Sequence, residues 1–278
     1  MDETLPAYTG GAIPQASPDS AGTSHAGLVS ADGLWRWDGA QWVPQAPTGA
    51  DLNGYRSPRL RSRLAIAGLA LSGVATLVAL ISEVGRLSIV NKLMSGESVT
   101  PDDATASDNL VRVGAIADVA MFVVCAAVFL AWLARIVANN HALGARVLRF
   151  SPRGAVGWWF VPFVNLVRPF QIVAESWRAA DPRTPESLPD QRTSMRLPAL
   201  IGAWWGTYLV ANLVARSGSA KGADTLDALQ GATVLSIASD VLFLVAAGLA
   251  AAVVVRLTRR QEEQHTVVIP RSAEATVA

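Results

Sequence analysis

Four apolar runs, at residues 64–81, 113–134, 197–215 and 232–255, each approach the length of a lipid bilayer, and they restrict the chain to few architectures. About 20 apolar residues in a helix cross the roughly 30 Å hydrocarbon core, where only helices and closed barrels satisfy their own backbone. Apolarity here is continuous rather than alternating, which selects helices. The expected fold class is therefore all-α integral membrane, with the lipid bilayer as partner. Four transmembrane helices are expected, at about 64–86, 113–134, 197–215 and 232–255, inside a membrane domain at 60–262 with a tail at 263–278. Only 16% of residues are charged, against roughly a quarter in a soluble domain.

The segment GWWFVPFVNLVRPF, at 157–170, decides how many times the chain crosses. Basic residues near span ends stay in the cytoplasm. If 155–173 does not cross, the arginines at 56–63, 135–153, 178–196 and 256–260 fall on one side, fifteen in number. Lys92, Arg112, Arg216 and Lys221 face them from the other. If it does cross, the asymmetry vanishes. Pro162 and Pro169 remove backbone donors and free the carbonyls of Trp158 and Asn165, and the Asn165 side chain is placed to serve a freed group. Trp158, Trp159 and Arg168 suit the headgroup level. Residues 155–173 are thus expected as a kinked re-entrant or interfacial helix, or a shallow hairpin, on the cytoplasmic side. Both termini are expected in the cytoplasm, and a high arginine, alanine and glycine content suggests a bacterial plasma membrane.

The N-terminal 33 residues are polar, small and without period, which predicts disorder. At 34–44 the sequence LWRWDGAQWVP places Asp38-Gly39 between short aromatic runs, a signal for a β-hairpin closed by a two-residue turn. Trp35 and Trp37 share a strand face, and Trp42 meets them from the other strand. Residues 45–59 read as a linker. The stretch resembles short Trp-Asp-Gly-x-x-Trp segments at the cytoplasmic ends of many bacterial membrane proteins, and it is the expected contact for a cytoplasmic protein partner.

Polar residues inside spans are costly and are functional hypotheses by default. Glu83, Arg86, Asp118, Asn212 and Asp240 all count to the outer third of their helices, which predicts a buried polar layer. In it Asp118 and Asp240 face the bundle axis, with Arg86 or Asn212 as partners. Gly202 and Gly206 form a small-xxx-small pair expected to pack inside the monomer. Net charge is +1, giving no reason to expect nucleic acid as a partner. Cys125 is the one cysteine, and His25, His141 and His265 lack metal-ligand spacing. No cofactor, metal site or catalytic residue is expected, and His141 reads as a solvated turn residue.

Trp132, Arg135, Asn139 and Ala142-Leu143-Gly144, then Gly157-Trp158-Trp159-Phe160-x-Pro162-x-x-Asn165-Leu166-x-x-Pro169, Trp177 and the closing 256–261 stretch, resemble a family of bacterial multi-pass membrane proteins known as a domain of unknown function. The resemblance covers roughly 60–262. It implies four spans, a tryptophan-proline-asparagine segment between the second and third, and no assigned activity. Function is accordingly expected to be that of a non-enzymatic scaffold or regulatory protein with a cytoplasmic interaction face. The alternative is a transporter or channel that uses the intramembrane polar layer.

Overall fold

The computed structural model describes residues 28, 35–37, 42–44, 54–145, 148–180, 197–219 and 224–277. The expected disorder at 1–33 (Leu28 apart), the Asp38-Gly39 turn and most of the 45–59 linker lie outside the described residues. Strand β1 (Trp35–Trp37) pairs antiparallel with β2 (Trp42–Pro44), and Trp37 faces Trp42. A two-residue Asp38-Gly39 turn would have paired Trp37 with Ala40, so the register corrects that expectation: four residues connect the strands.

The other elements of the described chain are helical: α1 (Arg59–Met94), α2 (Pro101–Ala142), α3 (Pro152–Gly157), a single 3-10 turn (Val164–Leu166), α4 (Arg168–Ala179), α5 (Ala199–Ser219) and α6 (Leu226–Val277). Their boundaries follow from local chemistry. Thr100 caps α2 by accepting the Asp103 N–H, with Pro101, Asp102 and Asp103 in the first turn. Proline at the first position forgoes a donor that has no helical partner, and acidic groups there suit the helix dipole. Ser151 and Pro152 repeat the device for α3. Gly144, with φ of 78°, ends α2 in a left-handed conformation that costs glycine nothing.

Three helices are long and apolar enough to cross a membrane: α1, α2 and the Leu226–Thr266 part of α6. The fourth expected span, α5, falls short because Trp204, Trp205, Thr207, Tyr208 and Asn212 dilute its apolar residues. Ile81 is 69% exposed and Ile116 65%. Such side chains around a helix belong against lipid rather than water.

The long helices run up and down. Side by side their order is α2, α1, α6, α5, since α1 packs between α2 and α6 while α5 packs along α6. Gly68 permits the closest α1–α2 approach, because a Cβ there would lie 2.6 Å from Val128 Cγ2 and 3.3 Å from Cys125 Cα. Gly202 and Gly206 do not serve this purpose: no atom lies within 4 Å of a Cβ at either position. The α5 face that packs on α6 instead carries Gly218, where a Cβ would sit 3.2 Å from Leu235 Cβ.

One end of the bundle gathers Arg56, Arg59, Arg149 and Arg259, and the other Glu97, Asp102, Asp103 and Asp227. The core lies toward the basic end, where Trp132, Leu133, Ile136, Ile172, Val173 and Leu257 are buried in one cluster.

Candidate functional site

Helices α2 and α5 make no extended contact with each other. What fills the gap at the basic end is the tryptophan-proline segment between them. It does not form one kinked helix over 155–173. Helix α3 stops at Gly157, and a γ-turn follows in which the Val164 N–H donates to the Pro162 carbonyl at 2.7 Å, with Phe163 at φ 63° and ψ −39°. Such turns are rare and strained. Helix α4 then starts at Arg168-Pro169 and buries Ile172, Val173 and Ser176 on one face.

Trp159 is the wedge of this plug. Its ring meets Phe129 of α2 edge-on at 5.7 Å and Trp205 of α5 at 5.8 Å. A carbonyl next to those the prolines free, that of Leu166, accepts the Trp205 indole N–H at 2.9 Å. The donor to this segment comes from α5. Arg168 lies over the rings of Phe150 and Trp158, at 5.5 and 5.4 Å, which covers its charge with aromatic faces. Phe160 and Phe163 are 73% and 85% exposed at the tip of the plug.

Beside the plug, polar side chains are buried and mutually bonded. Asn139 and Gln261 are fully buried and Asn140 nearly so. The Asn139 amide donates to Gln261 Oε1 at 2.9 Å and to the Arg56 carbonyl at 2.8 Å, while the Arg56 N–H donates to Asn139 Oδ1 at 3.3 Å. Gln261 donates to the Ile136 carbonyl and to Asn140 Oδ1, both at 2.9 Å. One turn toward the membrane, the Trp132 indole donates to Thr258 Oγ1 at 2.9 Å.

The stretch that leads into α1 is tied to α6. Ser57 donates to Glu262 at 2.5 Å, Arg59 pairs with Glu262 at 3.2 Å, and the Tyr55 ring stacks on His265 at 3.8 Å. Burial, and then the Glu262 charge, hold the Tyr55 phenol above its usual range. Arg260 donates to the Trp177 carbonyl and lies 4.8 Å over its ring. Glu175 accepts the N–H groups of Arg149 and Phe150, although burial raises its pKa. His141 is exposed at the end of α2, with Nε2 3.3 Å from the Phe150 carbonyl.

These bonds join Trp132, Asn139, the broken tryptophan-proline segment, Trp177 and Gln261 into one structural unit. A family model for a domain of unknown function, DUF4328, matches residues 95–259, more than half of the chain. The chain belongs to the DUF4328 family. No curated protein and no solved structure matches it.

The DUF4328 match leaves out α1, yet α1 completes a second feature, a half-open cavity of about 330 Å³ among the four long helices. Near the plug its walls are aromatic, from Phe129, Trp159, Trp204, Trp205 and Tyr208. Trp159 Nε1, at this wall, is buried and without a partner among the described residues. Toward the acidic end the cavity reaches Thr76, Asp118 and Asn212.

The expected polar layer is only partly assembled there. Asp118 does line the cavity, but its partner is Thr76, whose hydroxyl donates to Asp118 Oδ1 at 2.7 Å. Arg86 pairs instead with Asp108 at 3.0 Å and Glu83 at 4.0 Å. The cause is register: in the antiparallel α1–α2 pair, Arg86 stands ten residues beyond Thr76 and Asp108 ten before Asp118, about 15 Å along the axis. Asn212 donates to the Tyr208 carbonyl of its own helix at 2.9 Å. Asp240 stands on α6, and neither it nor Glu83 lines the cavity. Among the described residues no group of three His, Cys, Asp or Glu side chains is arranged to hold a metal ion.

Thr76, Glu175 and Gln264 have no place among the sequence expectations, and Gln261 enters there only as the end of the 256–261 stretch. A signal exists for α6: Leu257, Gln261 and Gln264 recur at i, i+4 and i+7, the spacing of one helix face.

Proposed function

We propose that this DUF4328 protein is a non-enzymatic, four-span regulatory or scaffold protein of the bacterial plasma membrane, with both termini in the cytoplasm. The observation that carries the reading is the tie between the entry to α1 and the far end of α6, through Asn139, Glu262 and His265. It anchors the β1–β2 pair, through a short connecting stretch, to a frame whose buried amides are mutually bonded. A module so tethered is suited to present Trp35, Trp37 and Trp42 to a cytoplasmic protein partner.

Helix α5 serves as the fourth span. Its 21 residues reach about 31 Å, near the hydrocarbon thickness. The two tryptophans that lower its apolarity, Trp204 and Trp205, are buried within the bundle. It also lies along α6, itself long and apolar enough to cross. The exposed Phe160 and Phe163 then meet the inner headgroup layer, which supports the interfacial placement of the plug.

Topology is tested by Asp190→Cys in a Cys125→Ser background. A membrane-impermeant thiol reagent is expected to label it only after permeabilisation, and labelling of intact cells would overturn the orientation. Crosslinking through residues 1–63 of the full chain is expected to capture one defined partner, lost in Trp37→Ala. An unchanged capture pattern in that variant would remove the scaffold reading.

A transporter is the second reading, favoured by the carboxylate that lines the cavity. Passage of solute into liposomes by the purified protein would establish it over the first.

A further inference from the structure

We propose that the cavity among the four long helices binds a lipophilic organic cation, held by its aromatic walls and the Asp118 carboxylate. Three observations converge on this chemistry. The volume, about 330 Å³, is that of a small-molecule site. Its walls are rings whose negative faces attract a weakly hydrated cation: Trp159, Trp204, Trp205 and Tyr208 near the plug, with Phe122 and Phe243 completing the enclosure. The third is an imbalance of charge. Asp118 receives the Thr76 hydroxyl, and no arginine or lysine among the described residues pairs with it. Arg86, the cation on that stretch of α1, is engaged by Asp108 and Glu83 instead.

Asp118 is half-buried, and a carboxylate partly withdrawn from water into an apolar surround is stabilised when a countercharge approaches it. An organic cation supplies that charge and also covers the aromatic surface. Neither a lipid chain nor an anion does both, the first having no charge and the second the wrong one. Helices α2 and α5, which do not pack along their length, leave the cavity half open, and a lipophilic ligand needs only such a route. Binding adds a ligand to the regulatory reading but does not depend on it. Loss of partner capture with retained binding would remove the scaffold alone.

The test uses the full chain in mild detergent, with benzyltrimethylammonium and its uncharged isostere neopentylbenzene as probes. Binding is read by calorimetry and by intrinsic tryptophan fluorescence. The wild type is expected to prefer the cation by about tenfold or more. Asp118→Asn is expected to abolish the preference, and Asp118→Glu to retain part of it. Gly73→Leu, at a cavity-lining position where a Cβ meets only Leu244 Cδ2 at 3.8 Å, is expected to weaken both probes. The unfolding midpoint of each Asp118 variant, measured beside its affinity and expected to match the wild type, guards against misreading a folding defect. Equal affinity for the two probes, tighter binding of the neutral one, an unchanged preference in Asp118→Asn, or no saturable binding would each overturn the proposal. Tighter neutral binding would identify a lipid-chain cavity instead.

Discussion

Two polar clusters of the bundle, the Asn139–Asn140–Gln261 network and the surround of Asp118, are satisfied to different degrees. At the basic end, Asn139, Asn140 and Gln261 lie out of water, and their bonds run to one another and to nearby carbonyls. In the cavity half, Asp118 has one hydroxyl donor, and carboxylates outnumber the arginine near them. A satisfied network needs nothing further and fixes a unique packing. A carboxylate with so few partners is explained more readily by something that visits it. The comparison assigns structure to one half and ligand binding to the other, and each assignment can be broken.

The largest effect is expected from Gln261→Leu. It leaves the Asn140 and Asn139 amides and the Ile136 carbonyl short of partners in a buried site, costing roughly 3 kcal/mol or more. Thermal unfolding in detergent, together with protein abundance in cells, would register it. A neutral result would show that the network is dispensable and remove the contrast.

Trp205→Phe comes next. It keeps an aromatic ring but removes the donor to the Leu166 carbonyl, a loss of about 1–2 kcal/mol. Hydrogen exchange around 158–167 is expected to rise while the rest of the bundle is unaltered. Exchange that does not change would show that the plug is held by ring packing alone.

The smallest expected effect concerns pH. Burial raises the folded-state pKa of Glu175, so the folded state binds its proton more readily than the unfolded one. Its contribution to stability is therefore greatest at low pH and declines as pH climbs from the ordinary carboxylate value, about 4.3, through the raised one. Glu175→Gln keeps an acceptor for the Phe150 N–H and is expected to flatten that part of the profile. A profile of the same slope in the variant would assign the dependence elsewhere.

How much of this was legible in the sequence follows from the range of the forces involved. Apolar runs announce α1, α2 and α6 because crossing lipid is a local demand on length and composition. The break at 157–170 was readable for the same reason: Pro162 and Pro169 act on their own backbone. Its strained turn at Phe163 was not, since the surroundings impose it. The basic-end network was invisible because Asn139 and Gln261 meet across 122 residues, and each resembles the solvated end of a helix. Counting along single helices placed Arg86 near Asp118, but only the α1–α2 register reveals Asp108 as its partner. The bond from Trp205 to the Leu166 carbonyl had no local signature because the plug leans on α5, a tertiary contact.

The contrast is tested most directly by measuring stability and cation affinity together in Thr258→Val and Asp118→Asn. Thr258→Val deprives the buried Trp132 indole of its acceptor. It is expected to lower the unfolding midpoint by about 2–4 °C for each kcal/mol lost and to leave affinity for benzyltrimethylammonium unchanged. Asp118→Asn is expected to do the reverse, weakening the cation by about tenfold with little change in midpoint. If both variants lose stability alike and neither alters affinity, the two halves are one structural core and the division between them is wrong.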